Sequence, residues 1–125
     1  MATATLKNYR QAPRKVRLVA DLIRGKQVDK ASTILTFAGK RAGGPIDKLL
    51  RSAVASALLM DASVPREALH VSSIQVDQGF VYKCMRPRAF GRGAPIHKAT
   101  SHVMITVAPK TVVSKRRAPT RKVVA

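Results

Sequence analysis

The sequence is poor in cysteine, aromatic residues and acidic residues, and these shortages exclude several classes of protein. Cys84 is the only cysteine, so an intrachain disulfide and a metal site built from several cysteines are both excluded. Aromatic residues make up 4% of the 125 residues, and tryptophan is absent. No apolar run is long enough to span a membrane, and the first residues lack the basic and apolar regions of a secretory signal. We expect a single soluble, non-secreted domain.

The charge is strongly one-sided. The chain contains 24 Lys and Arg residues but only 6 Asp and Glu residues, which gives a formal net charge of +18. All six carboxylates lie in the first 77 residues, whereas the last 48 residues contain 11 basic residues and no acidic one. Self-repulsion at this charge opposes a compact free state and favours an anionic partner.

The N-terminal part predicts one strand and one helix. Thr3–Arg10 alternates as a strand does. Pro13 suits the first turn of a helix, and Gly25 suits the position after its end. Leu18 and Leu22 are expected to widen the apolar face of this helix. The rest of that face is Val16, Val19, Ala20 and Ile23.

Two more helices and a pair of strands are predicted further along. Apolar spacing indicates helices at about Val28–Phe37 and Pro45–Met60. Leu69–Val76 is predicted to be a strand that continues, after Gly79, to Arg86. The returning strand is expected at about His97–Val107, which is rich in β-branched residues.

The segment that joins these two strands is the most distinctive in the chain. Lys83–Lys98 contains five basic residues and no carboxylate. Its centre, Pro87–Pro95, is rich in Pro and Gly and is predicted to form the bend of a hairpin. A cationic loop on a two-stranded arm is suited to contact with a polyanion.

An enzymatic function is disfavoured. The three histidines, His70, His97 and His102, form no recognisable pattern with Cys84. His97 and His102 are five residues apart on one strand, which places them on opposite faces and argues against a shared metal ion. We expect no catalytic residue, no cofactor and no metal; His70 and His102 are expected to pack or form hydrogen bonds.

Binding of nucleic acid is the function that the charges favour. The first helix and its flanks carry Arg14, Lys15, Arg17, Arg24 and Lys26, balanced only by Asp21, so phosphate contact is favoured over a solvated charged face. The aromatic rings of Tyr9, Phe80, Tyr82 and Phe90 can stack on unpaired bases. For Phe80 and Tyr82 packing within the protein is an equal alternative, whereas Phe90 lies in the bend, where a partner contact is favoured.

Two motifs resemble a known family. Lys15–Lys26, KVRLVADLIRGK, and Met85–His102, MRPRAFGRGAPIHKATSH, are similar to the signatures of the universal large-subunit ribosomal protein twenty-two family in its bacterial form. The resemblance covers about Leu6–Val107. It implies an α+β fold in which three helices pack on a small three-stranded antiparallel sheet, with a long protruding β-hairpin at about 78–100. Residues 1–108 then form one domain, and 109–125 form a basic tail that is disordered unless bound to RNA.

The resemblance also implies a function and a set of binding residues. The expected role is that of a structural constituent of the large ribosomal subunit that binds rRNA, supports assembly and touches neighbouring ribosomal proteins. The expected location is the cytoplasm, in a bacterial-type ribosome, and an organellar ribosome stays open as an alternative. The tip of the hairpin is expected to line the tunnel through which the nascent polypeptide leaves, with effects on macrolide sensitivity; no membrane partner and no homo-oligomer are expected. The tip residues are Arg88, Ala89, Phe90, Gly91, Arg92, Gly93 and Ala94. The expected rRNA-binding residues are Lys7, Arg10, Arg14, Lys15, Arg17, Arg24, Lys26, Lys83, Arg86, Arg88, Arg92, Lys98, Lys115, Arg116 and Arg117.

The sequence departs from the family pattern at three positions. Ala12 replaces a hydroxyl residue before the first helix, Ser56 replaces an asparagine in the third helix, and Phe90 occupies a position in the bend that is basic in many relatives. Two alternative functions stay open: a DNA-binding architectural protein with cationic β-arms, and a free-standing RNA chaperone that uses the tail.

Overall fold

The fold consists of three helices packed on one face of a three-stranded antiparallel sheet, as expected. The computed structural model describes residues 1–109. The helices are α1 (Pro13–Ile23), α2 (Val28–Phe37) and α3 (Gly43–Met60), and a short 3-10 turn lies at Arg66–Ala68. The strands are β1 (Ala2–Tyr9), β2 (Leu69–Pro87) and β3 (Gly93–Pro109). The prediction for the tail, including Lys115, Arg116 and Arg117, lies outside the described residues.

β3 is the central strand of the sheet. It pairs with β1 from Ala2↔Val107 to Tyr9↔Ser101, and with β2 from Leu69↔Pro109 to Pro87↔Gly93. On the side of Ser101 that leads towards the bend, β1 has ended, and β2 and β3 continue alone as a two-stranded ribbon. This ribbon is the predicted hairpin. At about 3.3 Å per residue, the paired segment from Val81 to Pro87 extends roughly 20 Å from the body.

A bulge explains the pattern of buried residues on β2. Leu69 and Val71 are buried, and then Ile74 and Val76, so the inward positions change from odd to even numbers. The register of β2 against β3 shifts between Val71 and Ser73. One extra residue in a strand reverses which side chains face the core, so the bulge keeps an apolar face on the helices.

The apolar face of α1 is narrower than the sequence predicts. Its buried residues are Val16, Val19, Ala20 and Ile23. Leu18 and Leu22 are 68% and 46% exposed, so the expectation that they widen the buried face is wrong. At about 100° per residue Leu18 lies opposite the buried stripe and Leu22 lies at its flank, next to Val19. The short α1 touches the sheet and α2 along this one stripe only.

The bend of the hairpin is also shorter than the expected Pro87–Pro95. Pairing of the strands continues to Pro87↔Gly93, and Pro95 lies within β3 opposite Met85. Proline is tolerated there because each strand of a two-stranded ribbon has a solvent-facing edge that needs no donor. Gly93 and Ala94 therefore belong to a strand, and the bend itself is Arg88–Arg92.

Gly79 sits where the ribbon leaves the body. The register of β2 against β3 shifts a second time between Gln78 and Val81. A Cβ atom on Gly79 would lie 2.5 Å from the Thr100 hydroxyl oxygen and 3.1 Å from His102 Nε2. Thr100 is buried, and its hydroxyl donates a hydrogen bond of 2.7 Å to the Phe80 carbonyl, so it has little freedom to move.

We predict that Gly79→Ala destabilises the protein by about 1–3 kcal/mol, because overpacking displaces Thr100 and its hydrogen bond. Thermal unfolding followed by circular dichroism measures this. Gly44→Ala is the matched control, since its Cβ would meet nothing within 4 Å and lies in α3. Equal melting temperatures for the two variants would show that the close approach at Gly79 does not matter.

Candidate nucleic-acid interface

The hairpin arm, defined as residues 81–99, presents its basic residues to solvent. Lys83, Arg86, Arg88 and Arg92 are all exposed. The last carboxylate before the arm is Asp77, and none follows it. Because neither face of the ribbon is packed on the body, these cations are available to an anionic partner on both sides.

Phe90 stands at the tip of the arm in a strained conformation. It is 97% exposed and has a φ angle of 57°, in the left-handed region. Gly91 follows with a φ of 67°, and the Arg88 N–H closes the bend with a hydrogen bond of 2.7 Å to the Arg92 carbonyl. A left-handed conformation costs about 1–2 kcal/mol for a residue with a Cβ. The exposure agrees with the prediction that Phe90 is not buried in the protein.

A concave surface lies where the arm joins the body, and we call it the junction cleft. Its volume is about 690 Å³. It is open to solvent between the β1–α1 connection, the α2–α3 connection and the base of the arm. The residues that line it are Arg10, Gln11, Ala12, Lys15, Arg41, Tyr82, His97, Lys98, Ala99 and Thr100.

Hydrogen bonds from two hydroxyl groups hold the walls of the cleft. The buried Ser101 hydroxyl donates to the Gln11 carbonyl at 3.1 Å, which fixes the β1–α1 connection to β3. The Tyr9 hydroxyl donates to Gln11 Oε1 at 2.9 Å and lies 3.3 Å from the Arg41 carbonyl. Tyr9 therefore joins the two connections that carry Arg10 and Arg41.

Tyr82 forms the aromatic part of the cleft. Its ring centroid lies 5.0 Å from that of Phe80, with the two rings nearly perpendicular at 84°. The Arg10 guanidinium carbon lies 5.5 Å from the same centroid, within the range of a cation–π contact. Tyr82 remains 45% exposed, so part of its ring is open to a partner.

The structure brings together some of the predicted binding residues and separates others. Arg10, Lys15 and Lys98 meet in the junction cleft. Lys7 lies on the edge strand β1, and Arg14 and Lys26 are exposed at the two ends of α1.

Two of the predicted binding residues also have intramolecular partners. Arg17 donates from Nε and from a terminal nitrogen to the Val76 carbonyl, at 3.2 and 3.0 Å. It therefore ties α1 to β2, whatever else it contacts. Arg24 forms an exposed ion pair of 3.0 Å with Asp21, which neutralises part of its charge.

Arg41 and His97 line the cleft but were not predicted from the sequence to bind RNA. Arg41 lies in a basic, Gly-rich connection, RAGG, which was a signal in the sequence. Only the fold shows that this connection reaches Tyr9 and the base of the arm. His97 is exposed on the arm. His102 accepts a hydrogen bond of 3.0 Å from the Asn8 N–H through Nδ1, which confirms the hydrogen-bonding role expected of it.

The described residues contain neither a metal-binding cluster nor a helix suited to a membrane. Residues 1–109 contain no group of three or more His, Cys, Asp or Glu side chains placed to hold a metal ion. Within the same residues, no helix combines the length and the apolar character needed to cross a bilayer. Cys84 is exposed on the arm.

Comparison with known proteins identifies the family. The family described as Ribosomal protein L22p/L17e matches residues 4–108. The chain is 50% identical over 107 residues to the large ribosomal subunit protein uL22 of Syntrophobacter fumaroxidans, which covers 86% of this chain and 96% of that protein. It is 47% identical over 109 residues to the same protein of Geobacter sulfurreducens, covering 87% and 97%. The corresponding protein of Myxococcus xanthus is 44% identical over 108 residues, covering 86% and 95%.

The matched residues include both motifs, the three helices and the whole arm. Since the match extends over most of the chain and nearly all of each relative, the chain belongs to the ribosomal protein L22p/L17e family.

Proposed function

We propose that this chain binds large-subunit rRNA with its hairpin arm and with the side of the body that carries Arg10 and α1. Membership of the family makes it a structural constituent of the large ribosomal subunit, in the cytoplasm. The observation that carries the proposal is the arm itself, a ribbon with exposed cations and no carboxylate. Such a ribbon does not contribute to a packed core, but it can follow the grooves between RNA backbones.

The body shows the complementary distribution of charge. Of the three ion pairs among residues 1–109, Arg51–Asp47 and Arg66–Asp29 lie on the α2–α3 side, and Arg24–Asp21 lies at the end of α1. Asp47 also accepts a hydrogen bond of 2.7 Å from the Ser32 hydroxyl. The α2–α3 side thus neutralises much of its own charge, and we infer that it faces solvent or neighbouring ribosomal proteins.

Two other functions fit the cations less well. A DNA-binding architectural protein would require an apolar wedge between base steps. Phe90 is the one exposed aromatic residue at the tip that offers such a wedge. Membership of the family favours rRNA over DNA as the partner. A free-standing RNA chaperone acting through the tail depends on residues outside those described. The absence of enzymatic activity stays a prediction, in keeping with a family of structural ribosomal proteins.

The tip is proposed to contact the nascent polypeptide. The bend Arg88–Arg92 is the part of the described chain furthest along the arm from the body. It combines two arginines with a nearly fully exposed phenylalanine. Such a surface suits a wall that many different sequences pass, because it offers both a cation and an apolar ring without a closed pocket.

We predict that Arg86→Gln with Arg88→Gln weakens binding to large-subunit rRNA and lowers its salt dependence. Each phosphate contact contributes about 0.7–0.9 to the slope of log K against log salt, so the slope should fall by roughly 1.5. Filter binding across a salt series measures it. Lys30→Gln with Lys48→Gln is the control for an equal loss of charge on the α2–α3 side. An equal loss of slope in the two double variants would contradict a specific role for the arm.

We predict that the arm is weakly protected from hydrogen exchange in the free protein and strongly protected in the large subunit. A two-stranded ribbon with no face on a core is marginal in water. Amides of Lys83, Met85 and Ile96 report this, and amides of Val103 and Ile105 in the central strand serve as the internal reference. Equal protection of the arm in both states would sink the idea.

We predict that removal of residues 88–93 leaves incorporation into the large subunit largely intact but changes macrolide sensitivity or nascent-chain stalling. The remaining strands still carry Lys83, Arg86 and Lys98 to hold the arm. Sedimentation of subunits measures incorporation, and growth with a macrolide measures macrolide sensitivity. Unchanged behaviour in both functional assays would reject a tunnel role for the bend.

A further inference from the structure

We propose that the junction cleft binds one unpaired nucleotide of the RNA that the arm contacts. The base stacks between Tyr82 and the Arg10 guanidinium, and the adjoining phosphates are held by Lys15, Arg41 and Lys98. This inference deepens the proposed rRNA-binding function and rests on it. It assigns to one place an RNA contact that charge alone spreads over the whole molecule.

The cleft is built for an anion. Four of its lining residues are basic and none is acidic. None of the four forms an ion pair within the described chain. Four like charges in one concavity repel one another, so an anion that enters gains from all four and relieves their repulsion. The N-terminus of α1 at Ala12 adds partial positive charge to the same wall.

The ring of Tyr82 selects a planar group over a simple anion. Phe80 holds it by an edge-to-face contact at 5.0 Å, which limits rotation of the ring. Arg10 already lies over it at 5.5 Å, so a planar group occupies this position in the free protein. Arg10 is exposed, and its guanidinium can move outward to stack on the far side of a base.

The body side of the cleft, and the chain at Phe80 where the arm begins, are held by hydrogen bonds before any ligand binds. Thr100 ties its hydroxyl to the Phe80 carbonyl, and Ser101 holds the Gln11 carbonyl. Tyr9 connects Gln11 with the connection that carries Arg41. Because this part of the site is preformed, the ordering penalty of binding is lower. The volume of about 690 Å³ falls within the range of roughly 300–1,000 Å³ found for small-molecule sites.

An unpaired nucleotide fits this geometry better than a duplex. In a duplex the faces of the bases are covered by their neighbours, and only phosphates and groove edges are available. A nucleotide splayed out of a loop or bulge exposes its base to an aromatic ring while its phosphates remain outside. The position of the cleft at the base of the arm suits this arrangement, because the arm and the body would approach the RNA from two directions.

The test uses the full chain and an in vitro transcript of large-subunit rRNA, with two pairs of variants. Tyr82→Leu removes the ring, and Tyr82→Phe keeps it. Arg41→Gln removes a cleft cation, and Lys40→Gln removes the neighbouring charge, which does not line the cleft. Stacking on an aromatic ring contributes about 1–3 kcal/mol per base, so Tyr82→Leu should weaken binding roughly 5- to 150-fold. Tyr82→Phe should stay near the wild type, and Arg41→Gln should weaken binding more than Lys40→Gln.

Ultraviolet cross-linking of the wild-type complex gives a readout that needs no variant. Mass spectrometry should locate a single cross-linked nucleotide on Tyr82. If the wild type binds the transcript but both pairs of variants are indistinguishable and no cross-link forms at Tyr82, the cleft proposal is overturned and the rRNA function stands. If Arg41→Gln alone has an effect, the cleft holds phosphate without a base, and the nucleotide proposal is wrong. If the wild type does not bind the transcript, both proposals fall.

Discussion

The pairing of β3 with two different partners is the constraint on which the rest of the structure depends. Within the body β3 lies between β1 and β2, and its inward residues Val103, Ile105 and Val107 are fully buried under the helices. On the side of Ser101 that leads towards the bend, the same strand pairs with β2 alone. The core therefore fixes the direction of the arm, because the arm is a continuation of the strand most deeply built into the sheet.

The departure of β1 at Ser101 also creates the junction cleft. At this point the chain leaves the sheet through Arg10 and Gln11 to begin α1, and the space that a third strand would fill opens beside Lys98 of β3, which pairs with Tyr82 of β2. Ser101 closes the last position by bonding the Gln11 carbonyl. A single event in the sheet, the loss of one strand, thus produces both a free ribbon and a concave surface at its base.

The helices and strands were predictable because their signals are local. The bounds of α2 are those expected, Val28–Phe37, since its apolar spacing and the following Gly39 need no partner to be recognised. Positions that depend on a partner strand were not predictable. The bulge near Ser72 reverses the buried face of β2, and the pairing that incorporates Pro95 into β3 is set by the opposite strand. The exposure of Leu18 follows from the narrow contact of α1, which its own sequence does not reveal.

The candidate site also has a part that was predictable from the sequence and a part that was not. The cations of the arm were evident because a run without carboxylates is visible in the sequence. The cleft combines residues from the end of β1, the start of α1, the α2–α3 connection and both strands of the arm, so Arg41 and His97 could join Arg10 only after folding. The basic, Gly-rich surroundings of Arg41 were visible in the sequence, but they did not indicate that it meets Arg10 and the base of the arm.

The cations of the arm and those of the cleft contribute differently to the recognition of RNA. A net charge of +18 attracts any polyanion, and the salt-dependent part of the affinity carries no information about sequence or structure. Discrimination requires a place where geometry as well as charge must match. Along the arm, neither face is enclosed by other parts of the chain, so its contacts can adjust to the backbone they meet. The cleft is held by Tyr9, Thr100 and Ser101, which belong to the folded body or to its edge. It is therefore the base of the arm, rather than the rest of its length, that can fix the position of the protein on its RNA.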